Sequence, residues 1–188
     1  MYVKTPIDMN GCVVKNNMLE LSGDKLWGIE RRSDTPERIV FIYEALQRLV
    51  DEGKLPNDFS IIDIAGGRGV VLNGLAGLFT CVPTILDFNS YPDWRYLKTS
   101  IKMLVKPLQE YIKEGHPHDV IMMLNSYRNW PKTNKSGGIK ARQDFDRWVV
   151  KNAKYFVTSN CDLPYKKLEI RGHDFKGVLQ LFDLSCPE

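Results

Sequence analysis

A glycine-rich turn at residues 66–69 is the part of the sequence whose residue types most directly suggest chemistry. It follows an apolar, β-branched run at residues 61–64 that predicts a buried strand, and residues 70–79 after it predict a helix. At such a turn a ligand can contact bare backbone, because a Cβ would block either a positive φ or the ligand's approach. The layout is typical of nucleotide-binding βα units, and a tight turn without a ligand has the same pattern.

Two acidic residues accompany this turn. Asp63 lies inside the preceding strand, and Asp87 stands near the end of a second predicted strand at residues 80–89, 18 residues after Gly69. A carboxylate at the tip of the second strand can accept hydrogen bonds from both hydroxyls of a ribose. An acid that only caps the next turn would occupy the same position, so the sequence leaves both interpretations open.

The glycine spacing separates two families of nucleotide-binding proteins. The dinucleotide fingerprint Gly-x-Gly-x-x-Gly fails, because counting from Gly67 the third glycine position holds Leu72. The segment Asp63-Ile-Ala-Gly-Gly-Arg-Gly69 instead resembles motif I of the class I S-adenosylmethionine-dependent methyltransferases, with Ala65 where the first glycine usually stands. A nicotinamide-dependent oxidoreductase is the main rival, and neither its fingerprint nor a Tyr/Lys pair at helical spacing is evident.

The resemblance implies S-adenosylmethionine (SAM) as the cofactor. It implies that Asp87 holds the ribose, that Phe88 packs near the adenine, and that the glycine turn faces the methionine end. The cofactor-binding residues expected on this basis are Asp63, Ala65, Gly66, Gly67, Gly69, Asp87, Phe88 and Asn125.

The resemblance also implies an α/β fold, with a doubly wound, mostly parallel sheet that closes in a C-terminal antiparallel hairpin. We expect one domain over residues 1–188, in which residues 1–55 form an N-terminal lead-in and helix and residues 59–188 form the nucleotide-binding core. The lead-in is expected to be irregular or hairpin-like, with a loop or single turn at residues 26–33. A helix is expected from Ser33, where capping residues and a proline occur together, to about residue 52.

The middle of the core is harder to assign. Apolar residues recur at helical spacing from Leu97 to Ile112, which predicts a helix despite Pro107. About 30 residues separate Asp87 from the next strand, too few for the helix, strand and helix of this fold, so one element should be shortened or lost. Later elements are a helix at residues 139–153, a fifth strand at 155–160, and an antiparallel pair at 167–171 and 178–183.

The fourth parallel strand is expected at residues 118–125, and the loop after it is expected to form the acceptor pocket. Ligands of open α/β sheets bind at the carboxyl ends of the strands, and this strand ends at Asn125. The next residues include Tyr127, Arg128 and Trp130, which could bind a polar ring-shaped acceptor. A loop whose aromatic residues only cover the sheet edge is the alternative.

Candidate catalytic residues lie near the C-terminus. Transfer to a hydroxyl acceptor benefits from a nearby base, and Asp162 and His173 are the candidates, although each could be an ordinary loop residue. Asp162-Leu-Pro-Tyr165 is similar to the Asp-Pro-Pro-Tyr motif of amino-directed DNA methyltransferases, but Leu163 replaces a proline. Tyr165 is included among the substrate-binding candidates on this basis.

Composition limits the choice of partner and location. With 43% hydrophobic and 26% charged residues, the chain resembles an ordinary globular protein, and it shows neither a membrane-length apolar run nor a signal peptide, so a cytoplasmic location is expected. The four cysteines are scattered, which argues for free thiols, with Cys81 buried in its strand, and against a metal site. Residues 127–177 carry 12 Lys/Arg against 5 Asp/Glu, a balance of +7 that favours an anionic substrate if this half borders the site.

The sequence therefore predicts a SAM-dependent methyltransferase with a slight preference for a sugar or small-molecule hydroxyl as acceptor. The alternatives are a methyltransferase that acts on RNA or DNA, and a non-catalytic partner subunit that binds the cofactor or nothing. The oligomeric state is not predicted.

Overall fold

The computed structural model describes residues 12–15, 18–21, 25–28, 35–124, 138–159, 161, 163–168 and 179–187. The strands are β1 (Cys12–Lys15), β2 (Met18–Leu21), β3 (Lys25–Gly28), β4 (Ser60–Ile64), β5 (Val82–Asp87), β6 (Lys102–Val105), β7 (His118–Met123), β8 (Ala153–Ser159), β9 (Tyr165–Leu168) and β10 (Leu179–Pro187). The helices are α1 (Thr35–Asp51), α2 (Val70–Leu78), α3 (Leu108–Glu114) and α4 (Gly138–Asn152), with a short 3-10 helix at Pro92–Tyr96.

Seven strands form one sheet in the order β6-β5-β4-β7-β8-β10-β9. The first five of these are parallel to one another, and β10 is antiparallel to both β8 and β9. Numbered from β4, the order is 3-2-1-4-5-7-6, which is the dinucleotide-binding order with one antiparallel strand inserted before the last. This confirms the expected doubly wound sheet with a C-terminal antiparallel hairpin.

The central strand β4 is buried on both faces, because its apolar side chains point alternately to the two sides of the sheet. In β4, Ile61 packs into the cluster that contains α1 and α2, whereas Ile62 and Ile64 pack into the cluster that contains α3 and α4. Asp63 is the exception, since it lies on the same face as Ile61 and is buried. Helices therefore cover both faces of the sheet, as expected for central parallel strands.

The segment between β5 and α3 differs from the expected helix. Residues 102–105 form strand β6, paired in parallel with β5, and the helix that follows begins only at Leu108, after Pro107. The expected helix is confirmed only from Leu108 onward, and the helical spacing before Pro107 was coincidental, because β-pairing to β5 decided the conformation of Leu104. The expected loss of one element is confirmed, since the crossover from β5 to β6 contains a five-residue 3-10 helix in place of an α-helix.

Other boundaries also differ in detail from the expectations. A loop or one turn was expected at residues 26–33, but residues 26–28 belong to strand β3 of a three-stranded antiparallel sheet with β1 and β2. The closing pair of strands, β9 and β10, begins at Tyr165 and continues to Pro187. Cys81 is half-buried and lies one residue before β5, and the cysteines whose side chains are described are free.

Neither a candidate membrane-spanning helix nor a candidate metal site is found within the described part of the chain. None of its helices combines the length and the apolar character needed to cross a lipid bilayer. No group of three or more histidine, cysteine, aspartate or glutamate side chains within these ranges is placed to hold a metal ion.

Candidate functional site

The glycine turn between β4 and α2 has a left-handed backbone at three positions. The φ angles are 54° at Ala65, 57° at Gly67 and 77° at Gly69. The Gly69 N–H donates to the Gly66 carbonyl at 3.0 Å, and the Ala65 N–H donates to the carbonyl of Leu86 in β5 at 2.8 Å. The turn is therefore closed on itself and anchored to the neighbouring strand.

Each glycine of the turn meets a different steric demand. A Cβ on Gly66 would lie 2.9 Å from the Asp63 carboxyl carbon, and one on Gly69 would lie 2.5 Å from Ile85 Cδ1 and 2.9 Å from Leu97 Cδ1. A Cβ on Gly67 would meet no described atom within 4 Å. A Cβ at Gly66 or Gly69 would thus have to displace neighbouring side chains, whereas a Cβ at Gly67 would project into open space.

The carboxylate of Asp87 is bonded to this open position. The Gly67 N–H donates to Asp87 Oδ2 at 3.0 Å, and the Asn89 N–H donates to Oδ1 at 3.0 Å. Asp87 is only 5% exposed, so both bonds lie in a region of low dielectric where such interactions are strong. Each oxygen keeps a lone pair after these bonds, which leaves the carboxylate able to accept two further hydrogen bonds.

Asp63 lies beside Asp87 and is 4% exposed. Burial, reinforced by the negative charge of Asp87, raises the pKa of Asp63 to about 8. A buried acid with a raised pKa next to a second acid is costly for folding, and such arrangements concentrate at functional sites.

Phe88 and Val105 form an apolar border at the carboxyl ends of β5 and β6. Phe88 follows Asp87 directly and is 71% exposed, and Val105 pairs with Asp87 in the strand register and is 53% exposed. Large exposed apolar side chains beside a buried carboxylate suit a ligand with one polar and one flat apolar part. Sequence reasoning identified Phe88 but missed Val105, because Val105 was read as part of a helix.

Trp94, in the 3-10 helix Pro92–Tyr96, was also missed by sequence reasoning. Its indole Nε1–H donates to the Gly67 carbonyl at 2.8 Å. The two residues are far apart in the chain, so no local sequence signal indicates the contact.

The remaining predicted site residues are placed differently. Asn125, Tyr127, Arg128, Trp130, Asp162 and His173 lie outside the described residues, so their roles stay predictions. Tyr165 is half-buried and pairs with Pro187 at the end of β10, which places it near the amino-terminal ends of the parallel strands. The glycine turn lies at the carboxyl ends of these strands, so the structure brings together only the cofactor-binding candidates from Asp63 to Phe88.

Comparison with known proteins bears on the fold. No protein-family model and no curated protein matches the sequence. Magnesium protoporphyrin IX methyltransferase (ChlM) from Synechocystis PCC 6803, with bound SAM, is similar with a TM-score of 0.53 and 11% identity over 85% of each chain. SMU.776, complexed with S-adenosylhomocysteine (SAH), is similar with a TM-score of 0.52 and 10% identity over 91% of this chain and 54% of that chain.

A third similar structure is the plantazolicin methyltransferase BpumL in complex with a desmethyl analogue and SAH. The TM-score is 0.51 with 14% identity, over 69% of this chain and 49% of that chain. The chain thus spans about half the length of BpumL and of SMU.776. These likenesses, together with the strand order, establish that the chain has the class I methyltransferase fold.

The steric difference between Gly67 and Gly69 gives a paired prediction. Gly69→Ala should lower the free energy of unfolding by more than about 2 kcal/mol, because its Cβ would overlap Ile85 and Leu97 in a strained backbone. Gly67→Ala should cost only about 1 kcal/mol, since the strain is that already present at Ala65. Urea denaturation of both variants measures the difference, and equal losses would show that packing does not explain Gly69.

The raised pKa of Asp63 predicts a pH dependence of stability. Between about pH 4 and pH 8 the folded protein holds a proton at Asp63 that the unfolded chain has lost, so the free energy of unfolding falls as pH rises. Burial lowers the pKa of His118 to about 4, which acts in the opposite direction but mainly below about pH 6.5.

From pH 6.5 to 7.5 the contribution of Asp63 is larger than the opposing one of His118, which Asp63→Asn retains. Across this interval the free energy of unfolding of the wild type should fall by about 1 kcal/mol because of Asp63, and Asp63→Asn should not show this fall. Urea denaturation at the two pH values tests this, and identical slopes for wild type and variant would contradict the assignment.

Proposed function

We propose that the protein is a SAM-dependent methyltransferase that binds its cofactor at the glycine turn between β4 and α2. The observation that carries the proposal is the buried Asp87 carboxylate, which is held by the Gly67 and Asn89 N–H groups with two acceptor positions left. Two ribose hydroxyls are suitable donors for those positions. The open space at Gly67 and the exposed ring of Phe88 fit the methionine and adenine parts on either side.

The same geometry disfavours a dinucleotide. A pyrophosphate binds at free backbone N–H groups of a glycine turn, but here the Gly67 N–H already donates to a carboxylate. The buried Asp87 carboxylate would also oppose a polyanion, whereas the sulfonium and ammonium of SAM are cationic. The electrostatics of the turn therefore support SAM over a nicotinamide cofactor.

Bound SAM would supply a methyl group on a positively charged sulfur that is activated for in-line displacement. The chain's task is to orient this group and exclude water, which the closed turn and the Asp87 carboxylate can do from one side. If the acceptor is a hydroxyl, a side chain of the protein would take up the hydroxyl proton as a base. Asp162 and His173 remain our candidates for that base.

We favour a sugar or small-molecule hydroxyl as the acceptor, bound by Tyr127, Arg128 and Trp130 after β7. The position supports this, because the carboxyl end of β7 adjoins that of β4, where the glycine turn lies. Tyr165 would contribute only if the acceptor extended to the other edge of the sheet. A cytoplasmic location is part of the same proposal.

Nucleic acid is the second candidate acceptor. The outer face of α4 exposes Lys140, Arg147 and Lys151, spaced to follow one side of the helix. Such a row could contact successive phosphates, and binding would then weaken steeply with salt. Arg147 is paired with Asp144 in the same helix, which reduces the net charge of this face.

Equilibrium binding followed by methyl transfer tests the proposal. Titration calorimetry should show binding of SAM and SAH but not of NAD⁺, and Asp87→Asn should weaken SAH binding at least about tenfold because ribose acceptors are lost. Asp119→Asn is the matched control, since Asp119 bonds Ser60 at the start of the sheet, away from the turn. Binding of NAD⁺ with no binding of SAH would overturn the proposal.

A radiolabelled methyl-transfer assay with sugars, small hydroxyl compounds and RNA then identifies the acceptor. Transfer to RNA in preference to the small molecules would favour the second candidate. Cofactor binding without transfer to any acceptor would favour the non-catalytic partner subunit.

A further inference from the structure

The 3-10 helix Pro92–Tyr96 stands where the doubly wound fold has a crossover helix, and it makes specific contacts with the glycine turn. Trp94 is 6% exposed, and its indole N–H donates to the Gly67 carbonyl at 2.8 Å. The ring of Tyr91 supports that of Trp94, with the ring centroids 5.8 Å apart. The N–H of a buried tryptophan usually has a hydrogen-bond partner, and here that partner is the backbone of the glycine turn.

The residues that follow Trp94 reach the first turn of α2. The Lys98 N–H donates to the Asn73 side-chain oxygen at 2.9 Å, and Asn73 is 2% exposed. Leu97 packs where a Cβ on Gly69 would lie. The segment thus contacts the turn at Gly67, at Gly69 and at the helix that follows.

Gly67 is held on both sides as a result. Its N–H donates to Asp87 Oδ2 and its carbonyl accepts from Trp94, while its φ is 57°. A glycine has no Cβ to limit its backbone, so these bonds add to the Gly69–Gly66 bond in restricting the peptides on either side. The two hydrogen bonds fix the orientation of the N–H that in turn fixes the Asp87 carboxylate.

We propose that Trp94 is a positioning residue for the cofactor, acting through the Gly67 carbonyl to hold the turn in its binding conformation before the cofactor arrives. This inference rests on the proposed function, because it takes the turn as the cofactor site. A turn ordered in advance binds more tightly, because less conformational freedom is lost on binding. The shortened crossover thereby acquires a role that an outer helix distant from the turn would not have.

The protein offers a closely matched control for this proposal. Trp148, in α4 on the other face of the sheet, is 5% exposed and packs against Phe145 and Tyr111. Its indole nitrogen has no hydrogen-bond partner among the described residues. Trp94→Phe and Trp148→Phe therefore remove the same atoms at the same burial, and only the first removes a bond to the turn.

The test measures SAH affinity by titration calorimetry at a temperature where all variants are folded, with urea denaturation alongside. We expect Trp94→Phe to weaken SAH binding about tenfold and Trp148→Phe to leave it within about twofold of wild type. Equal SAH affinity in Trp94→Phe and wild type would overturn the inference, and so would equal weakening in both variants. Wild-type protein that binds no SAH would instead overturn the proposed function.

A measurement on the wild type covers the case in which Trp94→Phe does not fold. With ¹⁵N-labelled tryptophan, SAH should shift the indole N–H resonance of Trp94 and leave that of Trp148 in place. An unchanged Trp94 resonance at saturating SAH would contradict a link between this side chain and the site.

Discussion

The hydrogen bond from the Gly67 N–H to Asp87 is the interaction on which the rest of the site depends. It joins the turn after β4 to the end of β5, so the two features that the sequence presents 20 residues apart become one site. The parallel register of β4 with β5 brings them level, since Ile64 pairs with Leu86. The sheet therefore does more than support the turn, because its register determines where the carboxylate points.

This arrangement makes demands that the surrounding structure has to meet. Ala65 adopts a left-handed φ that is unfavourable for any residue with a Cβ, and Asp63 is buried beside a second acid. Both are held in place by the close packing of β4 between β5 and β7. Local strain and buried acids concentrate at functional sites, which supports our proposal that this turn binds the cofactor.

Local signals were sufficient for the centre of the site and insufficient for its surroundings. The glycines and Asp87 could be predicted because strand, turn and acid lie within one βα unit and its successor. Strand β6 could not, because its apolar residues also fit a helical period and only pairing with β5 distinguishes the two. Trp94 could not, because its bond to Gly67 spans 27 residues and depends on how the shortened crossover folds over the turn.

The most direct test of this account is a crystal structure of the wild-type protein with SAH. The ribose hydroxyls should lie within about 3.2 Å of the Asp87 carboxylate oxygens, the amino-acid part should contact Gly67, and the adenine should lie beside Phe88. An SAH molecule bound elsewhere, or at the turn with its ribose away from Asp87, would contradict it.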